Sequence, residues 1–130
     1  MADFKFNEEV VVLNSFQSFG MTHDSVTVTV TDTMKQGSIL NAAGTEVAKA
    51  DAATSVGVID DLEFLRKLRG GDGQVVTGDS VTVAVAKRGV MFNEAAVAYS
   101  DGALDAAGKT ALSAGMNKFG VIGDDAAFVV

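Results

Sequence analysis

The side chains able to do chemistry are few and scattered. There is one histidine, His23, followed by Asp24. A His–Asp pair activates a nucleophile or moves a proton when the carboxylate orients the imidazole. Here the two residues are adjacent, and neighbours on a strand face opposite ways. His23 therefore reads as a surface or loop residue. Carboxylates stand at Asp60, Asp61, Asp72, Asp79, Asp101, Asp105, Asp124 and Asp125. Paired acids run glycoside hydrolysis or hold calcium. Each of these acids, however, lies beside glycine or at an expected element boundary, where Asp serves caps and turns. "GGDGQVVTGD" lacks the alternating ligands and closing Glu of a calcium loop. "AAGKT" (Ala106–Thr110) echoes the end of a phosphate loop, but Ala103 stands where its first glycine belongs. "RGGDG" is no dinucleotide fingerprint and "AYSDG" no nucleophile elbow. The absence of cysteine excludes disulfides, thiolate nucleophiles and zinc–thiolate sites. No catalytic, cofactor-binding or metal-ligating residue is assigned. The chain reads as a non-enzyme without a cofactor.

Two other groups of residues invite contact rather than catalysis. Arg66, Lys67, Arg69, Lys87 and Arg88 make up half of the ten cations. They read either as solvated faces and helix-end charges or as a contact for an acidic partner or a neighbouring subunit. Four of the eight phenylalanines precede residue 20. Phe4, Phe6, Val10, Val11, Val12, Leu13, Phe16 and Phe19 form either ordinary core or an arm that docks on a partner.

The elements that must position these groups are mostly strands. "DFKFN" alternates. "SVTVTVTDT" is the clearest strand, with Val26, Val28 and Val30 on one face and Thr27, Thr29 and Thr31 on the other. "GSIL" and "TEVA" flank "NAAG", a hairpin turn with Gly44 at the positive-φ position. "TSVGVI" is a strand in which Gly57 marks a bulge or a close backbone approach. "DDLEFLRKLRGGDG" predicts a short helix capped by Asp60 or Asp61 and ended by Gly70 or Gly71, with Leu62, Leu65 and Leu68 on one face. "DSVTVAVAKRGVMFN" alternates Val81, Val83 and Val85 with the small Thr82, Ala84 and Ala86. Asn93 is expected to cap a short helix over "EAAVAYSDG". "LDAAGKTALSAGMNKFG" predicts a further helix weakened by Gly108, and "AAFVV" a final strand.

The bulk numbers agree with one domain. A chain of 130 residues buries roughly 65–70 % of its unfolded surface. Its hydrophobic content is 48 % and its mean hydropathy +0.26, so it does not belong with disordered chains. Proline is absent and glycine frequent, so tight turns rest on Gly, Asn and Asp. The net charge of −7 repels phosphate backbones and anionic lipid surfaces. No signal-peptide pattern opens the sequence and no apolar run reaches the length of a membrane span. Neither nucleic acid nor membrane is an expected partner. The fold class expected is α+β, predominantly β: a small, compact domain with one to three short helices and an extended N-terminal arm.

The order of the pieces is more telling than any single residue. "GSILNAAGTEVA" precedes "ATSVGVIDD"; then come a variable stretch, "VTVAVAKRGVMFNEAAV", a small-residue helix and "AAFVV". Over residues 34–130 this resembles the lambda-type head decoration proteins of tailed bacteriophages, most of all in "ATSVGVI" and "VAKRGVMFNEAAV". The resemblance implies a β-rich, non-enzymatic virion protein. It implies homotrimers near the three-fold positions on the exterior of the expanded capsid, stabilising the shell as a cement and made in the host bacterial cytoplasm. The implied partners are the major capsid protein and the chain itself. It implies that residues 1–20 are an N-terminal arm or edge strand contacting the capsid, with residues 21–130 as a single decoration domain. The eight apolar residues from Phe4 to Phe19 named above would then be its anchors, adding to a strand of the capsid protein. The weighed alternatives are another virion subunit, such as a tail-tube-like or minor capsid protein, and a small β-rich module that binds carbohydrate or protein.

Overall fold

A computed structural model describes residues 10–15, 19–70 and 73–120, with backbone alone for Phe19 and Gly20. The expected strands of residues 4–6 and of the C-terminal "AAFVV" lie outside the described residues. Those described form nine strands in three sheets, three short helices and a 3-10 segment. The α+β, β-dominant class is as the sequence predicts.

The Val/Thr alternation builds the main sheet. β2 (His23–Thr29) pairs antiparallel with β5 (Ser80–Ala86) along its whole length, from His23 opposite Ala86 to Thr29 opposite Ser80. Val28 is buried, while Thr27 faces out and meets Thr82 across the strands, Oγ1 to Oγ1 at 3.2 Å. β4 (Gly57–Ile59) joins the other side of β5, and β3 (Ile39–Leu40) the far side of β4. The sheet order is β2-β5-β4-β3. Gly44 does turn at positive φ (+83°), and Asn41 Oδ1 accepts from the amides of Ala43 and Thr45. The outgoing "TEVA" arm shrinks to one bridge, Leu40 to Glu46. Gly57 is a close approach: a Cβ there would lie 2.6 Å from Val85 Cγ1.

Period-2 alternation puts the core on both faces of this sheet. Ile39, Val58 and Ala86 enter one cluster, with Val11, Phe92, Tyr99 and Leu112. Leu40, Ile59, Val83 and Val85 enter the other, with Val28, Met34 and Phe64.

A second sheet flanks the first. The chain breaks the expected long strand after Ala86 and turns at Gly89 (φ +67°). It resumes as β6 (Val90–Asn93), with β1 (Val12–Ser15) antiparallel on one side and β9 (Lys118–Gly120) parallel on the other. β1 carries a register irregularity between Val12 and Asn14. A parallel neighbour needs a crossover. The hairpin of β7 (Ala98–Tyr99) and β8 (Gly102–Ala103), then α3 (Ala106–Ser113), supply it.

The helix expected over residues 94–102 is absent. Asn93 ends a strand, its side chain buried, with Oδ1 accepting from Ala95 N (3.2 Å) and Nδ2 donating to Val10 O (2.8 Å). It closes a turn instead of starting a helix. The other two helices form where expected. α1 (Phe19–Thr22) is a single turn before β2. α2 (Leu62–Leu68) is capped by Asp61, which accepts from Phe64 N (3.1 Å). The leucine stripe is buried only in part: Leu62 is 64 % exposed and Leu68 packs against the second cluster, where Phe64, at 3 %, is the most buried residue of the helix. α3 is capped by Asp105, which accepts from Gly108 N (3.1 Å). Gly108 is there because a Cβ would overlap the Tyr99 hydroxyl.

Candidate interaction surfaces

His23 is not on the surface. It is 8 % exposed at the start of β2. Its Nδ1 meets Thr22 Oγ1 at 2.6 Å and its Nε2 meets Asp60 Oδ2 at 2.8 Å. Gln36 Nε2 donates to Asp60 Oδ1 (3.2 Å), while Gln36 Oε1 accepts from Asp61 N (2.8 Å). The hydroxyl–imidazole–carboxylate order mimics a nucleophilic triad, but Thr22 has no exposed surface for a substrate to approach. The network ties the start of β2 to the end of β4 and to the loop before β3. Asp24, the sequence neighbour, points elsewhere, to Lys87 and Arg88.

The candidate cations fall into two groups with separate counter-charges. Arg66 pairs with Glu63 on α2. Both are exposed, and the contact holds the Glu63 carboxyl below its ordinary value. Arg88 Nη2 lies 2.9 Å and Lys87 Nζ 3.3 Å from Asp24 Oδ2. The Arg88 hydrogen bond is the largest cause of the lowered Asp24 carboxyl. Arg88 also donates to Met21 O (2.8 Å), fastening α1 to the turn after β5. Lys67 sits within α2, where its carbonyl accepts from Val75 N (3.3 Å), and Arg69 caps the C-terminus of the helix.

The apolar N-terminal candidates divide in the same way. Phe4, Phe6, Phe16 and the Phe19 side chain lie outside the described residues. Val11 is 1 % exposed, inside the core beside Phe92, and Val12 packs against that cluster. Val10 and Leu13 are half-buried; Val10 O accepts from Asn93 Nδ2, and Leu13 Cδ1 would lie 3.1 Å from a Cβ at Gly120. In the chain by itself, Val11 and Val12 thus serve its own core. Among the described residues β1 pairs with β6.

Tyr99 and Asp105 form the most perturbed pair. Burial first, then the bond to Asp105, pushes the Tyr99 hydroxyl up to about 12. That hydroxyl and the Gly108 amide hold the Asp105 carboxyl below its ordinary value. The pair locks α3 to the β7–β8 hairpin. Among the described residues no group of three or more His, Cys, Asp or Glu side chains is placed to hold a metal. No helix there is long and apolar enough to cross a membrane.

Among the described residues the one hydroxyl–imidazole–carboxylate array is closed over by the fold, its Thr22 hydroxyl buried. A family model described as the bacteriophage PhiTE minor capsid decoration protein matches residues 8–126. The chain belongs to that family. The match runs from before β1 to beyond β9, so it takes in every described element. It bears out the resemblance to phage head decoration proteins. Membership makes this a structural phage capsid decoration protein of the virion and points to a non-enzymatic role. No curated protein and no solved structure matches the chain.

What the sequence missed has a common cause. The partners of His23 and Tyr99 are set by tertiary packing; for His23 the carboxylate stands 37 positions away. Asn117 has the same character: its Oδ1 accepts from Val90 N, and its Nδ2 donates to Lys87 O and Leu112 O.

Proposed function

We propose that this chain binds the exterior of an expanded tailed-phage head as a homotrimer near the three-fold positions, with the major capsid protein as its partner. It stabilises the head as a cement. The observation that carries the reading is the capsid decoration family match over residues 8–126. The chemistry is consistent with it. A cement needs complementarity repeated on every neighbour, and a trimer engaging several capsid subunits gains avidity through effective concentration. Residues 1–20 supply the capsid contact, with residues 21–130 as the decoration domain. Strand addition to the capsid protein is the mode of contact this reading implies for that segment, where backbone hydrogen bonds give affinity and alternate side chains give fit. The net charge of −7 speaks against nucleic acid or anionic membrane as the partner. The test is electron cryo-microscopy of expanded heads reconstituted with the purified protein. Three-fold density on the outer surface is expected. Density on the inner surface, or on the tail alone, would sink the reading.

A further inference from the structure

Two methionines face solvent, and both are fastened to one turn. Met116 is 74 % exposed and Met21 56 %, whereas Met34 is 5 % exposed inside the second core cluster. Met91 is half-buried on β6, its Sδ 3.2 Å from where a Cβ at Gly120 would stand. The turn is formed by Lys87, Arg88 and Gly89, after β5. Arg88 Nη1 donates to Met21 O (2.8 Å), which holds α1 against it. The loop after α3 lies on the same turn. Gly89 N donates to Gly115 O (2.9 Å), and a Cβ at Gly115 would overlap Lys87 O. The buried Asn117 donates through Nδ2 to Lys87 O (3.0 Å) and Leu112 O (2.7 Å). Met116 N itself donates to Ser113 O (2.9 Å). Among the described residues Met116 is the only non-glycine at positive φ (+61°). Such a backbone is uncommon outside glycine and persists where its surroundings fix it. Here the bonds at Gly115, Met116 and Asn117 do so. The exposure of Met116 is therefore set by tied backbone on both sides of it.

A thioether has no proton to lose, so access of the oxidant to sulfur decides which methionine reacts. We infer that Met116 and Met21 form a reversible oxidation site for hydroperoxides, hydrogen peroxide being the simplest. The sulfur lone pair takes the terminal peroxide oxygen. The S–O bond forms, the O–O bond breaks, and the departing hydroxide takes the proton of the transferred hydroxyl and leaves as water. Each sulfur loses two electrons and the peroxide gains them. A dithiol reductase reverses the step: its thiols become a disulfide and the oxygen leaves as water. The sulfoxide is polar where the thioether was apolar. At Met34 that change would disrupt the core. At Met116 and Met21 it meets solvent, so the fold stays and only the surface around the turn becomes more polar. The inference is independent of the decoration reading, since it rests on exposure and the geometry of the turn.

The chain has no cysteine to compete for the oxidant. The full-length protein is treated with hydrogen peroxide at neutral pH, quenched at intervals with free methionine, digested and mapped by mass spectrometry. Met116 and Met21 should each gain one oxygen about tenfold faster than Met34 and Met91. In guanidinium chloride the rates at all these positions should converge, which assigns the difference to the fold. Protein oxidised at Met116 and Met21 should keep its melting temperature by circular dichroism. Methionine sulfoxide reductases of both epimer specificities should return its original mass. Met34 or Met91 keeping pace with Met116 or Met21 in the folded chain would overturn the inference. So would rates that still differ in guanidinium chloride, a lowered melting temperature, or sulfoxides that the reductases leave in place.

Discussion

Tyr99 is the one tyrosine in a chain without tryptophan, so its ionisation can be followed by ultraviolet absorbance without overlap. Its hydroxyl is raised to about 12 because burial and Asp105 both favour the neutral phenol. A raised folded-state value means stability that is complete below the unfolded value of about 10 and is lost as pH climbs through about 12. Absorbance titration of the folded protein should therefore show a midpoint near 12, and Tyr99→Phe should flatten the loss of melting temperature between about pH 10 and 12. A midpoint near 10 would contradict the buried pair. Asp61 also joins two elements: it caps α2 and accepts from Ala84 N of β5 (3.0 Å). Asp61→Ala should cost about 1–2 kcal/mol in urea unfolding. An unchanged midpoint would show that the cap carries nothing. Residues with local signatures were legible: an Asp60–Asp61 cap before an apolar run, which the structure resolves to Asp61, Gly44 after Asn-Ala-Ala, and Gly57 inside a strand. His23 was not, because nothing within its neighbourhood in the sequence announces Asp60 and Gln36.

Elements were legible where a repeat of two or a capping residue defined them. β2, β5 and α2 stand where the alternation and the Asp60–Asp61 pair predict. The β7–β8 hairpin was not legible, because "EAAVAYSDG" has helical composition and only the buried Asn93 turns the chain out of helix. β9 is three residues long, too short to show a period, and exists because β6 offers it a parallel edge. In α2 the spacing of leucines was a partial guide: Leu68 packs on the core and Leu62 does not, while Phe64, outside the stripe, is the most buried residue of the helix. The contrast is measurable. Phe64→Ala should cost about 3–5 kcal/mol, whereas Leu62→Ala should fall within about 0.5 kcal/mol of wild type. Equal losses would return the leucine stripe to the core.

For the whole molecule, the order of its pieces said more than any motif, and the family match across residues 8–126 agrees with it. The N-terminal region is where the structure adds detail, since β1 belongs to the sheet with β6 and Val11 to the core. Removing residues 2–9 should leave the melting temperature close to that of the full chain. Removing residues 2–15 takes β1 away as well and should cost several kcal/mol, about 2 of them from Val11 alone. Thermal unfolding followed by circular dichroism separates the two, and equal melting points would detach β1 from the domain. If the shell contact lies before β1, the shorter deletion keeps its fold and loses its grip on heads. The central claim, that this chain decorates a phage head, is tested most directly by co-sedimentation of the purified protein with expanded and unexpanded heads of its parent phage. The account predicts stoichiometric binding to expanded heads. Binding to neither form would contradict it.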